Sequence, residues 1–322
     1  MPRCSPAELA HPRCPVVAPD RAAPIRWVRG VSLTRRALCW VPAVLTYLHI
    51  PAETPAERFT LPISTGCAAH RTFAAAVRNA VCEVVERDAI SLTWLQRLAL
   101  PRLTLHDAGA DLARVLQLAA DRDSEIHLFD ATTDVGIPTV YGLDVAREHP
   151  DCTTVVTCAT DLDPRRAVAK VLREGASTRI ALGPRRPGAT DPDDFITAFD
   201  GARYMGRPER LHAFDFLLGS RAARPLGALP GLAAGDPAAE LRLVLDRLDR
   251  LGFEVVVVDL TTDEALRAGM RVVRAIVPGL QPLSFSHRAR YLGHRRLYEG
   301  PPAFGHPAHP EADLNPWPQP FA

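Results

Sequence analysis

The sequence predicts an α/β protein in which mixed sheets pack against helices, and two features of the chain carry this prediction. The first is an internal repeat, because residues 111–134 and residues 240–263 align without a gap. Each copy runs from an apolar helical stripe into a short apolar strand and closes in the turn D-x-T-T-D. The second is a long segment, residues 73–85, whose apolar residues recur at helical spacing. Duplicated helix-strand units and a long apolar helix are typical of an α/β core.

Further predicted elements follow along the chain and fit the same fold class. Two strands joined by a polar turn are predicted within residues 25–50, and the second strand is expected to run from Ala37 to Leu48. A helix is expected to begin at Pro164, since Asp163 is a capping residue and proline suits the first helical turn. The remaining predicted elements are strands at Thr139–Val145, Thr153–Thr160 and Arg271–Val277 and a helix near Asp194–Tyr204.

The two D-x-T-T-D turns have two interpretations. Their aspartates and threonines can form polar walls of a site at the ends of two strands. They can also simply cap the following element, because short polar side chains accept hydrogen bonds from nearby backbone amides. The capping interpretation is favoured, since these residue types are common in such turns.

Composition excludes several classes of partner. The formal net charge is +1 and Lys170 is the only lysine, so bulk electrostatics favours neither nucleic acid nor an anionic membrane. The longest apolar run, residues 37–50, contains Pro42 and is too short to span a bilayer. The seven cysteines form no C-x-x-C pair, which favours reduced thiols. We therefore expect a cytoplasmic protein without nucleic-acid or membrane partners.

Three residues in the long helix form the candidate binding site. Glu83 and Glu86 lie one helical turn apart, and Arg87 follows Glu83 by four residues. Two carboxylates on one helix face can share a hard cation, and a guanidinium beside them can bind a phosphate. The alternative is an ordinary solvated face with an i,i+4 ion pair. The apolar flanking residues and the Ser-Thr-Gly loop at residues 64–66 favour a site that is partly buried.

Other chemical motifs are weak or missing. Cys67-x-x-His70 and His306-x-x-His309 have the spacing of metal ligands, but neither pair is specific and they are far apart in the sequence. The sequence contains no P-loop, no G-x-G-x-x-G fingerprint and no G-x-S-x-G elbow. A nucleotide would therefore have to be bound by arginines and by carboxylates through a metal ion.

Prolines alternate with other residues at the C-terminus. Pro316, Pro318 and Pro320 are separated by Trp317 and Gln319. Such a segment can be a stiff polyproline tail or a ligand for a proline-recognising module. Because a stiff segment loses little entropy when it is held in place, the tail can also line a site.

At these positions the chain resembles the YcaO family of ATP-dependent enzymes that modify peptide backbones, and in particular its cyclodehydratase branch. The resemblance covers residues 25–322 in order, and the ERDA block together with the P-x-P-x-P terminus is specific. The matching segments are S-T-G-x-A, the helix ending EVVERDAISLTW, DATTDVGIP, the Asp163-Pro164 helix with Glu174, RAIVPGLQP and NPWPQPFA.

The resemblance implies an enzyme that uses ATP and Mg²⁺ to phosphorylate a backbone amide of a precursor peptide and so forms thiazoline or oxazoline rings in bacteriocin-like peptides. It implies that Glu83 and Glu86 bind Mg²⁺, that Arg87 contacts phosphate and that Arg274 is a second phosphate contact. The implied role of Pro316, Pro318 and Pro320 is to place the C-terminus at the active site.

Three departures from the family pattern support a different hypothesis. The family's Gly-Asn after the S-N-G loop is His70-Arg71 in this chain, and its usual glutamate four residues after that asparagine is Ala75. Residues 1–63 do not resemble the family's N-terminal half, which carries a G-K-G loop and a second acidic helix. The alternative to an active subunit is therefore a degenerate, non-catalytic partner, or one half of a split enzyme.

The sequence also predicts a domain organisation and a set of partners. Residues 1–24 are expected to form a loose arm, residues 25–305 a YcaO-like domain without the family's N-terminal half, and residues 306–322 a proline-rich tail. The expected partners are a ribosomally made precursor peptide, a leader-binding protein and a dehydrogenase subunit. A homo- or hetero-oligomer is expected.

Overall fold

The protein is represented by a computed structural model that describes residues 2–105, 109, 112, 114, 124–149, 152–183 and 190–322. The chain divides into two compact units, and each contains a five-stranded sheet with helices, which confirms the predicted α/β class. The first unit comprises Met1–Asp88, Ala233–Ser284 and Arg288–Arg296, and the second comprises Ala89–Leu232, Phe285–His287 and Leu297–Ala322.

The strands of the first unit's sheet are β1 (Trp27–Ser32), β2 (Ala37–Pro42), β3 (Cys67–His70), β9 (Val256–Asp259) and β10 (Arg271–Ile276). This sheet is antiparallel throughout and has the order β2-β1-β9-β10-β3. The predicted hairpin at residues 25–50 is present, because β1 pairs with β2 in continuous register.

The second strand of this hairpin is shorter than the sequence predicted. Residues Ala43–Thr46 form a short helix, α2, so the prediction of a strand as far as Leu48 is wrong beyond Pro42. Proline has no amide hydrogen to donate to a sheet, and its fixed φ suits the start of a helix. The Thr46 hydroxyl donates to the Pro42 carbonyl at 3.4 Å, which closes the turn.

Helix α3 (Phe73–Leu95) begins where the sequence predicted. Thr72 precedes it, and the Thr72 hydroxyl accepts a hydrogen bond from the Ala75 amide at 3.3 Å. The apolar stripe of the helix is fully buried over Ala75–Val77, Ala80–Val81 and Val85. The other helices that lie in or begin in the first unit are α1 (Pro6–Ala10), Pro237–Arg250, Asp263–Arg267 and Arg296–Ala303.

The N-terminal segment, predicted as a loose arm, is packed against the rest of the first unit. Its helix α1 carries a capping box, and Glu8 within it is buried. Cys4 and Val16 join a buried cluster with Ala289 and Tyr291. The N-terminal segment is therefore held in place by the burial of apolar side chains and by a buried carboxylate, although its sequence shows no helical or strand periodicity.

The strands of the second unit's sheet are β4 (Arg102–Thr104), β5 (Glu125–Asp130), β6 (Thr139–Val145), β7 (Thr154–Thr160) and β8 (Ala223–Pro225). They have the order β7-β6-β5-β4-β8, and among these pairs only β4 and β8 are parallel. Every residue of β6 and β7 is buried, so both faces of these strands are covered. The predicted strands at 139–145 and 153–160 are confirmed.

Helix Pro164–Leu182 covers one face of this sheet. It begins at the predicted Asp163 cap, whose side chain accepts from the Arg165 amide at 2.9 Å. Gly142 on β6 permits the close approach, because a Cβ there would lie 2.4 Å from Val171 of the helix. The second unit also contains helices at Ala198–Met205 and Asp215–Leu218, and the first of these lies near the predicted Asp194–Tyr204.

The C-terminal tail packs within the second unit. The Trp94 indole donates to the Trp317 carbonyl at 3.1 Å, and the Arg210 guanidinium lies 4.9 Å from the centre of the Trp317 ring. Phe321 forms a parallel bridge with Val156 on β7. Pro318 and Pro320 are buried, whereas Pro316 is exposed.

The structure preserves the strand half of the repeat. β5 and β9 are each the central strand of their sheet, and each pairs antiparallel with the next strand of the chain, β6 or β10. In both D-x-T-T-D turns the first aspartate accepts a hydrogen bond from the amide two residues later, at 3.0 Å for Thr132 and 2.9 Å for Thr261. These bonds agree with the capping interpretation. The predicted helix of the first copy falls mainly on residues 111–123, most of which lie outside the described residues.

Among the helices in the described part of the chain, none is both long and apolar enough to cross a bilayer.

Burial of His294 predicts a pH dependence of folding. The Arg296 amide donates to His294 Nδ1 at 3.3 Å, so Nε2 carries the proton and faces the Pro278 carbonyl at 3.2 Å. This neutral ring is surrounded by protein, and burial lowers the pKa of His294 to about 4. As the pH falls from about 6.5 to 4, His294 therefore binds a proton in the unfolded chain but not in the folded chain. The free energy of unfolding decreases over that range.

We expect the His294→Gln variant to lose less stability than the wild type between pH 7 and pH 4, by roughly 3 kcal/mol at the acid end. Thermal unfolding of both proteins at half-unit pH steps measures this difference. Identical slopes for the two proteins would contradict the assignment of a neutral buried ring.

Candidate functional site

The site of the first unit is built around Gly66. Its φ of 82° lies in the left-handed region that glycine adopts without strain. The Gly66 amide donates to Glu83 Oε2 at 3.1 Å, and its carbonyl accepts from the Ala275 amide at 2.7 Å. A Cβ at this position would lie 2.2 Å from the Ala275 carbonyl oxygen. Gly66 thus joins the loop directly to helix α3 on one side and to strand β10 on the other.

The three helix residues predicted from the sequence form one ionic cluster. Arg87 Nη2 lies 3.3 Å from Glu83 Oε1, and Arg87 Nη1 lies 3.6 Å from Glu86 Oε1. Glu86 is buried, and the side chain of Glu83 is 24% exposed. The prediction of a partly buried cluster is confirmed, and a fully solvated i,i+4 pair is excluded by this burial.

Arg274 reaches the same region from strand β10. It pairs in register with Cys67 on β3, and its Nη1 lies 3.0 Å from Cys67 Sγ. Only 7% of Arg274 is exposed. Its Nε is buried and has no hydrogen-bond acceptor among the described residues. A guanidinium held in this way has donor capacity left for an anion.

Arg87 and Arg274 line one cavity of about 90 Å³. Thr65 and Val84 line it beside them, and the remaining wall is mainly apolar and includes residues 275–278. Thr65 Oγ1, like Arg274 Nε, is buried without a hydrogen-bond partner within the part of the chain that the structure describes. The cavity therefore combines two cations and an unused hydroxyl with apolar walls, which suits an anionic group attached to a less polar body.

These residues fit a magnesium-bound phosphate chain. Mg²⁺ usually keeps several waters and is held by one or two carboxylates together with substrate phosphates. Glu83 and Glu86 contact Arg87 but do not themselves line the cavity, and from that position they would supply those carboxylates, while Arg87 and Arg274 can offset the phosphate charge. Both guanidiniums line the cavity, and Arg274 brings an unsatisfied buried donor to it.

The zinc alternative finds no support among the residues that the structure describes. No group of three or more His, Cys, Asp or Glu side chains there could hold a metal ion. Cys67 faces Arg274, and His70 Nδ1 accepts from the Thr72 amide at 3.4 Å. His306 and His309 belong to the second unit.

Two of the three sequence departures differ in their surroundings. Ala75 is fully buried within helix α3, so a carboxylate at that position would enter a packed interior. Arg71 is exposed. In this chain an alanine side chain that packs in the core thus stands where the family has a carboxylate.

Some site residues were predicted and others were missed. Arg274, which the family resemblance implied as a phosphate contact, lines the same cavity as Arg87. Thr65 and the apolar wall after β10 were not identified, although the S-T-G and RAIVPGLQP segments were the available signals. Pro316, Pro318 and Pro320 belong to the second unit, and their role at an active site stays a prediction.

The chain matches known proteins in sequence. A family model described as YcaO cyclodehydratase, ATP- and Mg²⁺-binding, matches residues 2–281. A relative from Rhizobium leguminosarum bv. trifolii, described as an uncharacterized protein in the tfuA 3′ region, is 28% identical over 294 residues, which are 87% of this chain and 64% of the relative.

The fold is also similar to solved structures. A heterocyclase in complex with substrate and cofactor is 25% identical with a TM-score of 0.80, over 98% of this chain and 40% of that one. YcaO from Methanopyrus kandleri, bound with AMPPCP and Mg²⁺, is 23% identical with a TM-score of 0.62, over 85% of this chain and 70% of that one. The chain thus spans about two-fifths of the heterocyclase and less than two-thirds of the curated relative.

The family model extends over most of the chain, and the cofactors that it names, ATP and Mg²⁺, are those predicted from the sequence. The fold agrees with solved YcaO structures. On this basis the chain belongs to the YcaO family.

Proposed function

We propose that this chain is a YcaO-type cyclodehydratase subunit that forms azoline rings in ribosomally made peptides. The observation that carries the proposal is that Arg87 and Arg274 line the same cavity, with Glu83 and Glu86 in contact with Arg87. Bound ATP·Mg²⁺ would supply the phosphoryl group that turns a backbone amide oxygen into a leaving group.

The chain's own residues would act mainly by electrostatic preorganisation. Arg87 is held by two carboxylates and Arg274 by its contact with Cys67, so neither guanidinium has to be ordered when an anion arrives. The low exposure of Arg274 strengthens its attraction for negative charge, because the surrounding protein screens charge less than water does.

Glu83 and Glu86 would hold Mg²⁺ while they keep Arg87 in place. Glu83 uses Oε2 for the Gly66 amide and Oε1 for Arg87, so its orientation is fixed from two sides. Fixed carboxylates lose little freedom when a cation binds. This arrangement supports a binding role for both residues.

The comparisons support a peptide substrate. The heterocyclase with a TM-score of 0.80 was solved with substrate and cofactor. By analogy we propose a precursor peptide as substrate, a leader-binding protein and a dehydrogenase subunit as partners, and assembly as a homo- or hetero-oligomer in the cytoplasm. We likewise propose residues 25–305 as the functional domain, to which the packed N-terminal segment adds Pro2 in the cavity wall, and residues 306–322 as the tail that places the C-terminus at the active site.

A second candidate function is a non-catalytic partner, or one half of a split enzyme. The buried Ala75 in place of a family carboxylate favours it, because the site then has fewer metal ligands. Calorimetry of this chain with AMPPCP and Mg²⁺ separates the two candidates. Micromolar binding by the chain alone would count against the non-catalytic role.

Loss of one metal-binding carboxylate should strongly reduce activity. We expect Glu86→Gln to reduce peptide-dependent phosphate release at least tenfold, because the neutral amide cannot balance the Mg²⁺ charge. Phosphate release is measured with the precursor peptide and partner proteins present. Glu264→Gln, at an exposed carboxylate, serves as the control and should retain full activity. Normal turnover by Glu86→Gln would remove the site assignment.

Loss of the Arg274 guanidinium should weaken nucleotide binding more than folding. We expect Arg274→Met to bind AMPPCP·Mg²⁺ about tenfold more weakly, which corresponds to about 1.4 kcal/mol. Isothermal titration calorimetry measures the affinity, and the exposed Arg271 on the same strand provides the control variant Arg271→Met. Equal affinities for the two variants would show that Arg274 does not contact the nucleotide.

A further inference from the structure

Tyr291 has an unusual backbone conformation for its size. Its φ of 61° lies in the left-handed region, where a bulky side chain is strained. The residue is 2% exposed and lines the same cavity as Arg87 and Arg274. A strained backbone conformation persists only where surrounding contacts hold it. The contacts of Tyr291 therefore show which residues shape this wall of the cavity.

The peptide amides on either side of Tyr291 are held by one carboxylate. Glu8 Oε1 accepts from the Arg290 amide at 2.5 Å, and Glu8 Oε2 accepts from the Leu292 amide at 2.9 Å. Glu8 is 8% exposed. Burial raises the pKa of its carboxyl, while the backbone amides that it accepts from favour the charged form. The carboxylate thus fixes the backbone immediately before and after the strained residue.

Glu8 is in turn fixed by the short helix that carries it. Glu8 Oε2 accepts from the Ser5 amide at 2.8 Å, and the Glu8 amide donates to Ser5 Oγ at 3.2 Å. This capping box orders a helix of five residues, which has too little cooperativity to be stable by itself. The N-terminal segment and the segment at 290–292 therefore hold each other.

Two further contacts place the N-terminal segment at the cavity. Gly293 lies directly against the backbone of Cys4, since a Cβ there would be 2.5 Å from the Cys4 carbonyl oxygen. Pro2 itself lines the cavity together with Tyr291. The Tyr291 hydroxyl accepts from the Leu61 amide at 3.1 Å, and Leu61 is also a cavity residue. One wall of the cavity is thus assembled from the segments that Glu8 and Tyr291 connect.

We propose that Glu8 is a positioning residue for the nucleotide cavity, which it shapes by holding Tyr291 in the left-handed conformation and Pro2 in the cavity wall. This inference rests on the proposed function, because it takes the ligand to be the nucleotide whose phosphates meet Arg87 and Arg274. Glu8 lies within residues 2–281, which the family model matches, but it belongs to none of the motifs quoted for the resemblance, and its role is inferred from its contacts.

The neutral isostere tests this role. Glu8→Gln keeps the size of the side chain, but its amide nitrogen cannot accept a hydrogen bond, so at least one of the three backbone amides loses its acceptor. The backbone at Tyr291 can then relax and the wall shifts. We expect Glu8→Gln to bind AMPPCP·Mg²⁺ at least fivefold more weakly than the wild-type chain in isothermal titration calorimetry.

A matched control separates positioning from stability. Glu240 is also a buried carboxylate of the first unit, 3% exposed, and accepts from the amides of Ala234 at 3.0 Å and Gly235 at 3.2 Å. It does not line the cavity. Glu240→Gln should lower the melting temperature as much as Glu8→Gln or more while leaving the nucleotide affinity unchanged. Equal affinities for Glu8→Gln and the wild type would show that Glu8 is only structural.

A second measurement needs no nucleotide. Hydrogen exchange of the ligand-free proteins should become faster at residues 290–292 and at Leu61 in Glu8→Gln, but not in Glu240→Gln. Unchanged exchange at these amides would overturn the inference even if the affinity fell. If the wild-type chain does not bind AMPPCP·Mg²⁺ at all, the proposed function fails, and the exchange data alone then decide whether Glu8 holds Tyr291.

If Glu8→Gln does not fold, Glu8→Asp replaces it in both measurements. The shorter side chain keeps the charge but cannot reach the Ser5 amide and the 290–292 amides together. The same loss of affinity and the same faster exchange are expected, and wild-type values for both would overturn the inference.

Discussion

The site depends on the close approach of the Gly66 backbone to helix α3 and strand β10. One amide and one carbonyl of the same residue bind Glu83 and Ala275, so a single peptide segment sets the distance between the helix that carries the carboxylates and the strand that carries Arg274. No other residue type could occupy this position, because a Cβ would collide with the Ala275 carbonyl. The pairing of two cations in one cavity is a consequence of this contact.

Buried polar groups elsewhere in the first unit are also held by hydrogen bonds and ion pairs to specific partners. Asp88, the next acidic residue of helix α3, is fully buried and is bound by Arg296 and by the Gln281 amide at 2.7 Å. Gln281 in turn donates to the Tyr291 carbonyl at 3.3 Å. Because an unpaired buried charge is costly, these bonds fix the segments that bear them. The cavity wall and the helix are therefore connected through satisfied polar contacts.

The internal repeat has produced two sheets with different roles. Each copy supplies the central strand of a sheet and ends in the same aspartate-capped turn. In the first unit the strand that follows the repeat, β10, carries Arg274 into the cavity. In the second unit the corresponding strand, β6, is buried along its length and serves packing. The duplicated topology thus supports a site in one copy and a core in the other.

The sequence by itself determined the elements whose signals are local. Such local signals depend on neighbours within a few residues, as in the spacing of Glu83, Glu86 and Arg87, the cap at Thr72 and the repeated turns. The family motifs, in addition, identified the cofactors. Only the tertiary structure decided that Arg274 and Arg87 line one cavity and that Glu8 accepts hydrogen bonds from the backbone amides of the residues before and after Tyr291. Those contacts join residues that are far apart in the chain, and no hydrophobic periodicity or helix-capping motif predicts them. The sequence thus specified the chemical groups of the site, while long-range packing decided which of them face one another.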